Sequence, residues 1–144
     1  MSVELPFAPV DSIIRRNAGD LRVSADASEA LARRIQERGA ALAVEAAEQA
    51  SADGRKTLMS EDFDRDGRKD SLELPIAPVD RIARLDIDDR YRVSMDARVS
   101  LAATLEEYAD DVASAAALLA RHADRRTVIA GDVEVYFELA PHFE

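Results

Sequence analysis

The chain has 144 residues, of which 29 are acidic and 19 are basic, so its formal net charge is -10. With no cysteine and only two histidines, it cannot form disulfides or thiolate metal sites and offers little for zinc or nucleophilic chemistry. We therefore predict one or two small soluble domains that are not an enzyme and need no metal or cofactor. The apolar stretches are short, and no basic segment followed by an apolar one opens the chain, so we expect no membrane association and no export signal.

The choice of charged residues is as informative as the net charge. Seventeen arginines stand against two lysines, and 27 residues are alanine. An acidic, lysine-poor surface stays hydrated in concentrated salt, where the Debye length is about 3 Å at 1 M. We interpret the composition as adaptation to high salt. A GC-rich genome is the alternative, and it would explain the arginine and alanine but not the excess of acids.

The first elements, in chain order, are a short helix, a short extended segment and a long helix. Pro9 suits a first helical turn, and the following residues through Ile14 give that helix an apolar face before Asn17–Asp20 ends it. Leu21–Val23 is predicted to be extended, and Ser24 to be the N-cap of a helix that runs to about Ala52. A third helix is cut short at Phe63. An acidic segment, residues 64–72, follows as a linker.

The same elements then recur. Glu73–Asp80 repeats Glu4–Asp11, Arg92–Ser94 repeats Arg22–Ser24, and Asp124–Thr127 repeats Gly54–Thr57. The second copy adds a clear third helix from Ala130 to about Ala140. We predict copies at residues 1–63 and 73–144. Because about 65 residues are marginal for a core, and a long helix flanked by short ones cannot enclose its apolar stripe, each copy needs the other.

These ordered motifs resemble the archaeal histones, and a tandem acidic pair is similar to the fused histones of halophilic archaea. The resemblance implies an all-α protein in which two histone folds, each with short, long and short helices, clasp head to tail. One chain would then equal one dimer, an intramolecular handshake pseudodimer. The implied partner is double-stranded DNA, bent or wrapped through backbone and minor-groove arginine contacts, and the implied location is the cytoplasmic nucleoid.

The resemblance also implies a DNA-binding surface in three parts. The handshake should bring Arg22 beside Arg126 and Thr127 at one end, and Arg92 beside Lys56 and Thr57 at the other. The central part consists of the paired first helices, with Arg81 and Arg84 from the second copy. Ser12 replaces the family's arginine in the first copy, so Arg15 and Arg16 must supply charge there.

Other residues receive structural or assembly roles from the resemblance. Arg55 should pair with Asp62, and Arg125 with Asp132, to fix the loops before the third helices. His122, with Leu118, Leu119 and Asp132, matches the family's position for joining two dimers, so self-association through the second copy is expected. Interaction with a helix C-terminus is the alternative role for this histidine.

Three further interpretations stay open. Residues 62–73 fit the spacing of a calcium-binding loop, although Asp62 is claimed by Arg55 and Glu73 begins the second copy. Three pairs of adjacent carboxylates are better explained as a solvated face than as acid–base catalysts, namely Asp88–Asp89, Glu106–Glu107 and Asp110–Asp111. Residues 1–71 carry a net charge of -3 and residues 72–144 a net charge of -7. A protein-interaction module with little DNA affinity is therefore the alternative function, and a basic ridge interrupted by acids would favour it.

Overall fold

The computed structural model describes residues 2–63 and 71–143. Its helices and strands, in chain order, are α1 (Phe7–Ala18), β1 (Arg22–Val23), α2 (Ala25–Ala52), β2 (Thr57–Leu58), α3 (Ile76–Ala83), β3 (Arg92–Val93), α4 (Met95–His122), β4 (Thr127–Val128) and α5 (Ala130–Leu139). Short 3₁₀ turns cover Ser60–Asp62 and Ala140–Phe143. No helix among the described residues is long and apolar enough to cross a membrane.

The two long helices begin at the serines that the sequence predicts as N-caps. Ser24 Oγ accepts a hydrogen bond from the Ala27 N–H at 3.2 Å, and Ser94 Oγ accepts one from the Ala97 N–H at 3.1 Å. Each bond satisfies one of the backbone donors that a first helical turn leaves without an intrahelical partner.

Two parallel strand pairs join the copies at opposite ends. β1 of the first copy pairs with β4 of the second, with Arg22 opposite Thr127, and β2 pairs with β3, with Thr57 opposite Arg92. Both pairings are between copies. The intramolecular handshake predicted from the sequence is therefore confirmed.

One core lies between the copies. α1 packs on α4 of the other copy, α3 packs on α2, and the two long helices cross each other. At the crossing, a Cβ on Gly39 would lie 2.7 Å from Ile82 Cγ2 and 2.9 Å from Leu105 Cδ1, so a glycine is what lets these helices approach. The buried core contains apolar side chains from every helix, among them Val10, Ile13, Ile14, Leu31, Ile35, Val79, Ile82, Leu101, Leu105, Val112 and Val133.

The copies differ after their last strands. α5 continues the second copy over both long helices, and in the described part of the first copy the 3₁₀ turn Ser60–Asp62 lies where α5 begins in the second. Phe63 is buried beside that turn. Residues 64–70 of the predicted linker lie outside the described residues, so the predicted domain boundaries stay a prediction.

Candidate nucleic-acid interface

The β1–β4 pair brings basic side chains from both copies together at one end of the molecule. The Arg22 N–H donates to the Arg126 carbonyl at 2.8 Å, and the Ser24 N–H donates to the Val128 carbonyl at 3.0 Å. These bonds fix the backbone and leave the side chains of Arg22 and Arg126 exposed beside the partly buried Thr127.

The β2–β3 pair builds the corresponding end. The Arg92 N–H donates to the Lys56 carbonyl at 2.8 Å, and Thr57 lies opposite Arg92 in the strand register. Lys56 Nζ lies 4.8 Å from the centroid of the Tyr91 ring, which holds the ammonium over an aromatic face. The Tyr91 hydroxyl in turn hydrogen-bonds Ser51 Oγ.

The four basic side chains at these two ends share one electrostatic property. None of Arg22, Lys56, Arg92 and Arg126 forms an ion pair with a carboxylate of residues 2–63 or 71–143. At the β1–β4 end, Arg22 and Arg126 border a cleft of about 420 Å³. Its lining residues are Asp20, Leu21, Arg22, Arg121, Asp124, Arg125 and Arg126. Both ends therefore offer exposed cations to an anionic ligand.

Two further arginines are committed to the loops that carry these residues. Arg55 donates to both carboxylate oxygens of Asp62 at 2.9 Å and to the Thr57 carbonyl at 2.9 Å. Arg125 makes the same contacts with Asp132 and the Thr127 carbonyl. Each arginine thus ties the carbonyl of a strand threonine to a buried carboxylate.

The paired carboxylates also hold the turns that follow the strands. The hydrogen bond from Arg55, reinforced by one from the Met59 N–H, lowers the pKa of Asp62. Burial by itself raises the pKa of Asp132, but the hydrogen bonds from Arg125 and from the Ile129 N–H leave it lower than usual. Both carboxylates are therefore anionic at neutral pH, and both are structural.

The central part of the predicted surface is different, because its arginines are ion-paired. Arg81 Nε lies 3.0 Å from Glu4 Oε1, a contact that joins α3 to the segment before α1. Arg15 pairs with Asp11 at 2.6 Å within α1, and Arg84, directly after α3, pairs with Asp80 at 3.1 Å. Arg81 and Arg15 remain more than half exposed, so their ion pairs are open to competition by another anion.

Arg16 is directed towards the other copy. Its guanidinium reaches Asp110 Oδ2 at 2.7 Å and Glu106 Oε2 at 3.0 Å, both on α4. The hydrogen bond to Asp110 is the largest cause of a pKa for Arg16 well above its usual value. The sequence predicts that Arg16 contacts DNA, whereas the structure commits this charge to the contact between copies.

The residues predicted to join two dimers lie at the end of α4 and on α5. His122 is the last residue of α4 and is exposed, Leu118 is 65% exposed, and Leu119 is half-buried. Asp132 is buried and paired with Arg125, so it faces inwards. The apolar residues Val135, Leu139 and Phe143 are also exposed on the second copy.

The calcium interpretation falls mainly on residues 64–70, which lie outside the described residues. Asp62 binds Arg55 through both oxygens, so its carboxylate is occupied. Among the residues that the structure describes, no group of three or more His, Cys, Asp or Glu side chains is arranged to hold a metal ion.

Two polar residues on the long helices are buried. The sequence predicts Glu106 on a solvated face, and this prediction is wrong, whereas Gln36 had no predicted role. Glu106 accepts hydrogen bonds from the Glu73 N–H at 2.7 Å and the Leu74 N–H at 3.0 Å, where the second copy begins. Gln36, at the equivalent position, accepts one from the Glu4 N–H at 2.7 Å and donates one to the Ser2 carbonyl at 2.9 Å. The sequence signal that could have located these two residues is a polar side chain within the apolar stripe of each long helix.

Comparison with known proteins gives a consistent result. The family model of the histone-like transcription factors (CBF/NF-Y) and archaeal histones matches the chain twice, at residues 3–64 and 72–135. The archaeal histone HAN1 of Thermococcus zilligii is 52% identical over 63 residues, which cover 44% of this chain and 91% of that protein. The crystal structure of the histone from Methanopyrus kandleri is similar with a TM-score of 0.65 and 26% identity, over 90% of this chain and 91% of that one.

Proposed function

Because the chain belongs to the family of histone-like transcription factors (CBF/NF-Y) and archaeal histones, we propose that it binds double-stranded DNA as a fused pseudodimer that bends or wraps the duplex. The observation that carries this proposal is the pair of strand junctions, each of which presents two basic side chains without ion-pair partners among the described residues. Its location would be the nucleoid.

Each junction has the chemistry that sequence-independent binding needs. Exposed arginines suit a narrow minor groove, where the negative potential is strong and no base code has to be read. The adjacent residue Thr127 or Thr57 offers a hydroxyl to a phosphate oxygen, and Arg126 or Lys56 adds charge. We propose Arg22 and Arg92 as the groove-binding pair.

The central helices would contribute less. There DNA must displace Glu4 from Arg81, Asp80 from Arg84 and Asp11 from Arg15 before those arginines can contact phosphate. Each displacement exchanges one ion pair for another, so its net gain is small. We therefore propose that the ends hold the duplex and that the centre adds a weaker contact.

Binding of this kind is expected to be weak and sensitive to salt. With about six phosphate contacts, a tenfold rise in salt concentration removes about five decades of affinity by counterion release. If the acidic surface is an adaptation to high salt, as we propose, binding at working salt depends on groove insertion and backbone hydrogen bonds more than on net charge.

Chains would further associate through the second copy. The exposed Leu118 and His122 at the end of α4, with Leu119 between them, support this proposal, and the first copy has Ala52 and Asp53 at the place of His122 and its neighbour. Such an assembly would end at two chains, since only one copy carries the contact.

One observation favours a second function, a protein-interaction module with little DNA affinity. Acids interrupt the basic surface at its centre, where Arg15, Arg81 and Arg84 are all ion-paired. The basic side chains at both ends, which have no ion-pair partner within residues 2–63 and 71–143, favour the DNA-binding function instead.

The deciding experiment is a DNA-binding titration at several potassium chloride concentrations with the double variant Arg22→Ala plus Arg92→Ala. We expect at least a tenfold loss of affinity and a shallower salt dependence, with a slope smaller by about 1 to 2. The matched control is Arg33→Ala plus Arg38→Ala, which removes equal charge from exposed positions on α2. Equal losses in both double variants would contradict the proposed surface.

A further inference from the structure

An ion-pair network joins the copies at only one of two equivalent places. At the end of α1, Arg16 binds Asp110 and Glu106 of α4, and Asn17 Nδ2 donates to Asp110 Oδ1 at 2.7 Å. Glu106 is 10% exposed at its side chain and also holds the backbone of residues 73 and 74.

The second copy has different residues at the place of this network. Counting from the repeated Glu4 and Glu73, Leu85 stands where Arg16 stands and Asp86 where Asn17 stands, both in the turn that follows α3. The long helix facing them is α2, and Gln36 and Ala40 replace the two carboxylates there. Of these two equivalent places, only the contact of α1 with α4 therefore carries complementary charges among the described residues.

Pairing of like copies would lose this complementarity. If two second copies from different chains clasped each other, the turn after α3 would bring Leu85 and Asp86 to the places of Arg16 and Asn17, and Asp110 and Glu106 would lack the cation that Arg16 provides. If two first copies clasped each other, Arg16 would face Gln36 and Ala40 and find no carboxylate. Juxtaposed like charges and an unpaired charge at a partly buried contact both disfavour the wrong partner.

We infer that the network of Arg16, Asn17, Glu106 and Asp110 selects the partner of each copy. The first copy pairs with a histone fold whose long helix carries carboxylates at the positions of Glu106 and Asp110. A second copy disfavours pairing with another second copy. The linker raises the local concentration of the correct partner, and the network adds a chemical preference that acts on a second chain too.

Cysteine reporters test this in the full chain, which has no cysteine of its own. In the native clasp, Arg92 and Thr127 lie in different strand pairs, so Arg92→Cys plus Thr127→Cys does not crosslink within one chain. When two second copies pair, β3 of one chain lies beside β4 of the other, and the same cysteines form a covalent dimer. Arg22→Cys plus Thr127→Cys reports the native pairing, because these positions are opposite each other.

The reporter chains are unfolded in urea, refolded at high protein concentration and oxidised. Arg16→Leu plus Asn17→Asp gives the first copy the residues of the second, and we expect at least threefold more covalent dimer than in the parent. Glu106→Gln plus Asp110→Ala should also raise the dimer yield, and the fold already accommodates those residue types at Gln36 and Ala40. Arg33→Leu, which removes an exposed pair with Glu29 on α2, should leave the yield unchanged.

A gain of complementarity separates partner selection from general loss of stability. Leu85→Arg plus Asp86→Asn gives the second copy the residues of the first and leaves Arg16, Glu106 and Asp110 in place, so the dimer yield should rise although the native network is intact. Equal yields in the parent, both substituted backgrounds and this variant would overturn the inference and show that the linker alone sets the pairing.

Discussion

Asp124 adopts a left-handed backbone conformation, with φ 60°, at the turn that follows α4. The equivalent residue of the first copy is Gly54, with φ 76°. A side chain in this region strains the backbone, and glycine does not. We expect Asp124→Gly to stabilise the protein by about 0.5 kcal/mol, since the greater freedom of glycine in the unfolded chain offsets part of the relief.

Urea unfolding of the variant measures this effect. The reciprocal change, Gly54→Ala, should destabilise the chain by about 1 kcal/mol, and a Cβ there has no neighbour within 4 Å, so only backbone strain is tested. A loss of stability in Asp124→Gly would mean that its carboxylate makes a favourable contribution that exceeds the strain.

Asp132 links stability to pH through its buried carboxylate, which is 3% exposed. Its pKa in the folded state is lowered, so its contribution is fully present above the unfolded pKa of about 3.9 and is lost as the pH falls through the folded value. Asp132→Asn should cost about 2–3 kcal/mol at neutral pH, somewhat less than a fully buried pair because Arg125 is partly exposed.

Unfolding free energies measured from neutral pH down to about pH 3 check the sign. The parent should lose stability more steeply than Asp132→Asn below about pH 4. Asp111→Asn, at an exposed position of α4, is the control and should change the neutral-pH stability little. Parallel pH profiles for parent and Asp132→Asn would exclude the linkage.

Which contacts could be predicted at the residue scale depends on how local they are. The pair of Arg55 with Asp62 spans one loop of a repeated motif, so the resemblance located it in the sequence. Glu4 with Arg81 and Arg16 with Asp110 are 77 and 94 residues apart, and only the crossing of the copies brings them together. Neither the amino-acid composition nor the periodicity of apolar residues predicts which residues of the two copies lie side by side.

At the element scale, the close crossing of α2 with α3 and α4 depends on Gly39. A Cβ there would meet Ile82 Cγ2 at 2.7 Å, and this branched side chain has little freedom to move. Overpacking costs about 1–3 kcal/mol, and the better helix propensity of alanine returns up to about 1 kcal/mol. We therefore expect Gly39→Ala to destabilise the chain by about 1 kcal/mol.

Gly131→Ala is the matched control, because its Cβ would lie at ordinary contact distance, 3.7 Å, from Ile129 at the start of α5. That substitution should be neutral or stabilising by up to about 1 kcal/mol. Chemical denaturation of both variants gives the comparison. Equal effects would show that the crossing tolerates a methyl group and that helix propensity alone matters.

The elements themselves were largely predictable from the sequence. Ser24 and Ser94 indicate where the long helices begin, and the predicted helix from Ala130 to about Ala140 corresponds to α5. β1 and β3 were predictable only as extended segments, and β2 and β4 only as parts of loops, since the partner of each strand lies in the other copy. The polar roles of Gln36 and Glu106 escaped detection because they serve the backbone of distant segments.

At the scale of the whole molecule, the distribution of paired and unpaired arginines governs how the proposed DNA complex responds to salt. The ends present cations directly, whereas Arg81 at the centre is held by Glu4. Removing that carboxylate leaves a free cation on the proposed surface, so Glu4→Gln should raise DNA affinity about threefold to tenfold at low salt. It should also steepen the salt dependence by up to about one unit, because one more phosphate contact releases its counterion.

Glu29→Gln provides the matched comparison, since it frees Arg33 on the exposed face of α2 and changes the net charge equally. The two variants and the parent are titrated with one duplex over a range of potassium chloride concentrations. If Glu4→Gln and Glu29→Gln raise the affinity by the same factor, net charge alone controls binding. A larger gain for Glu4→Gln, lost again when Arg81→Ala is added, would place the central contact at Arg81, because only there does the removed carboxylate compete with phosphate for one arginine.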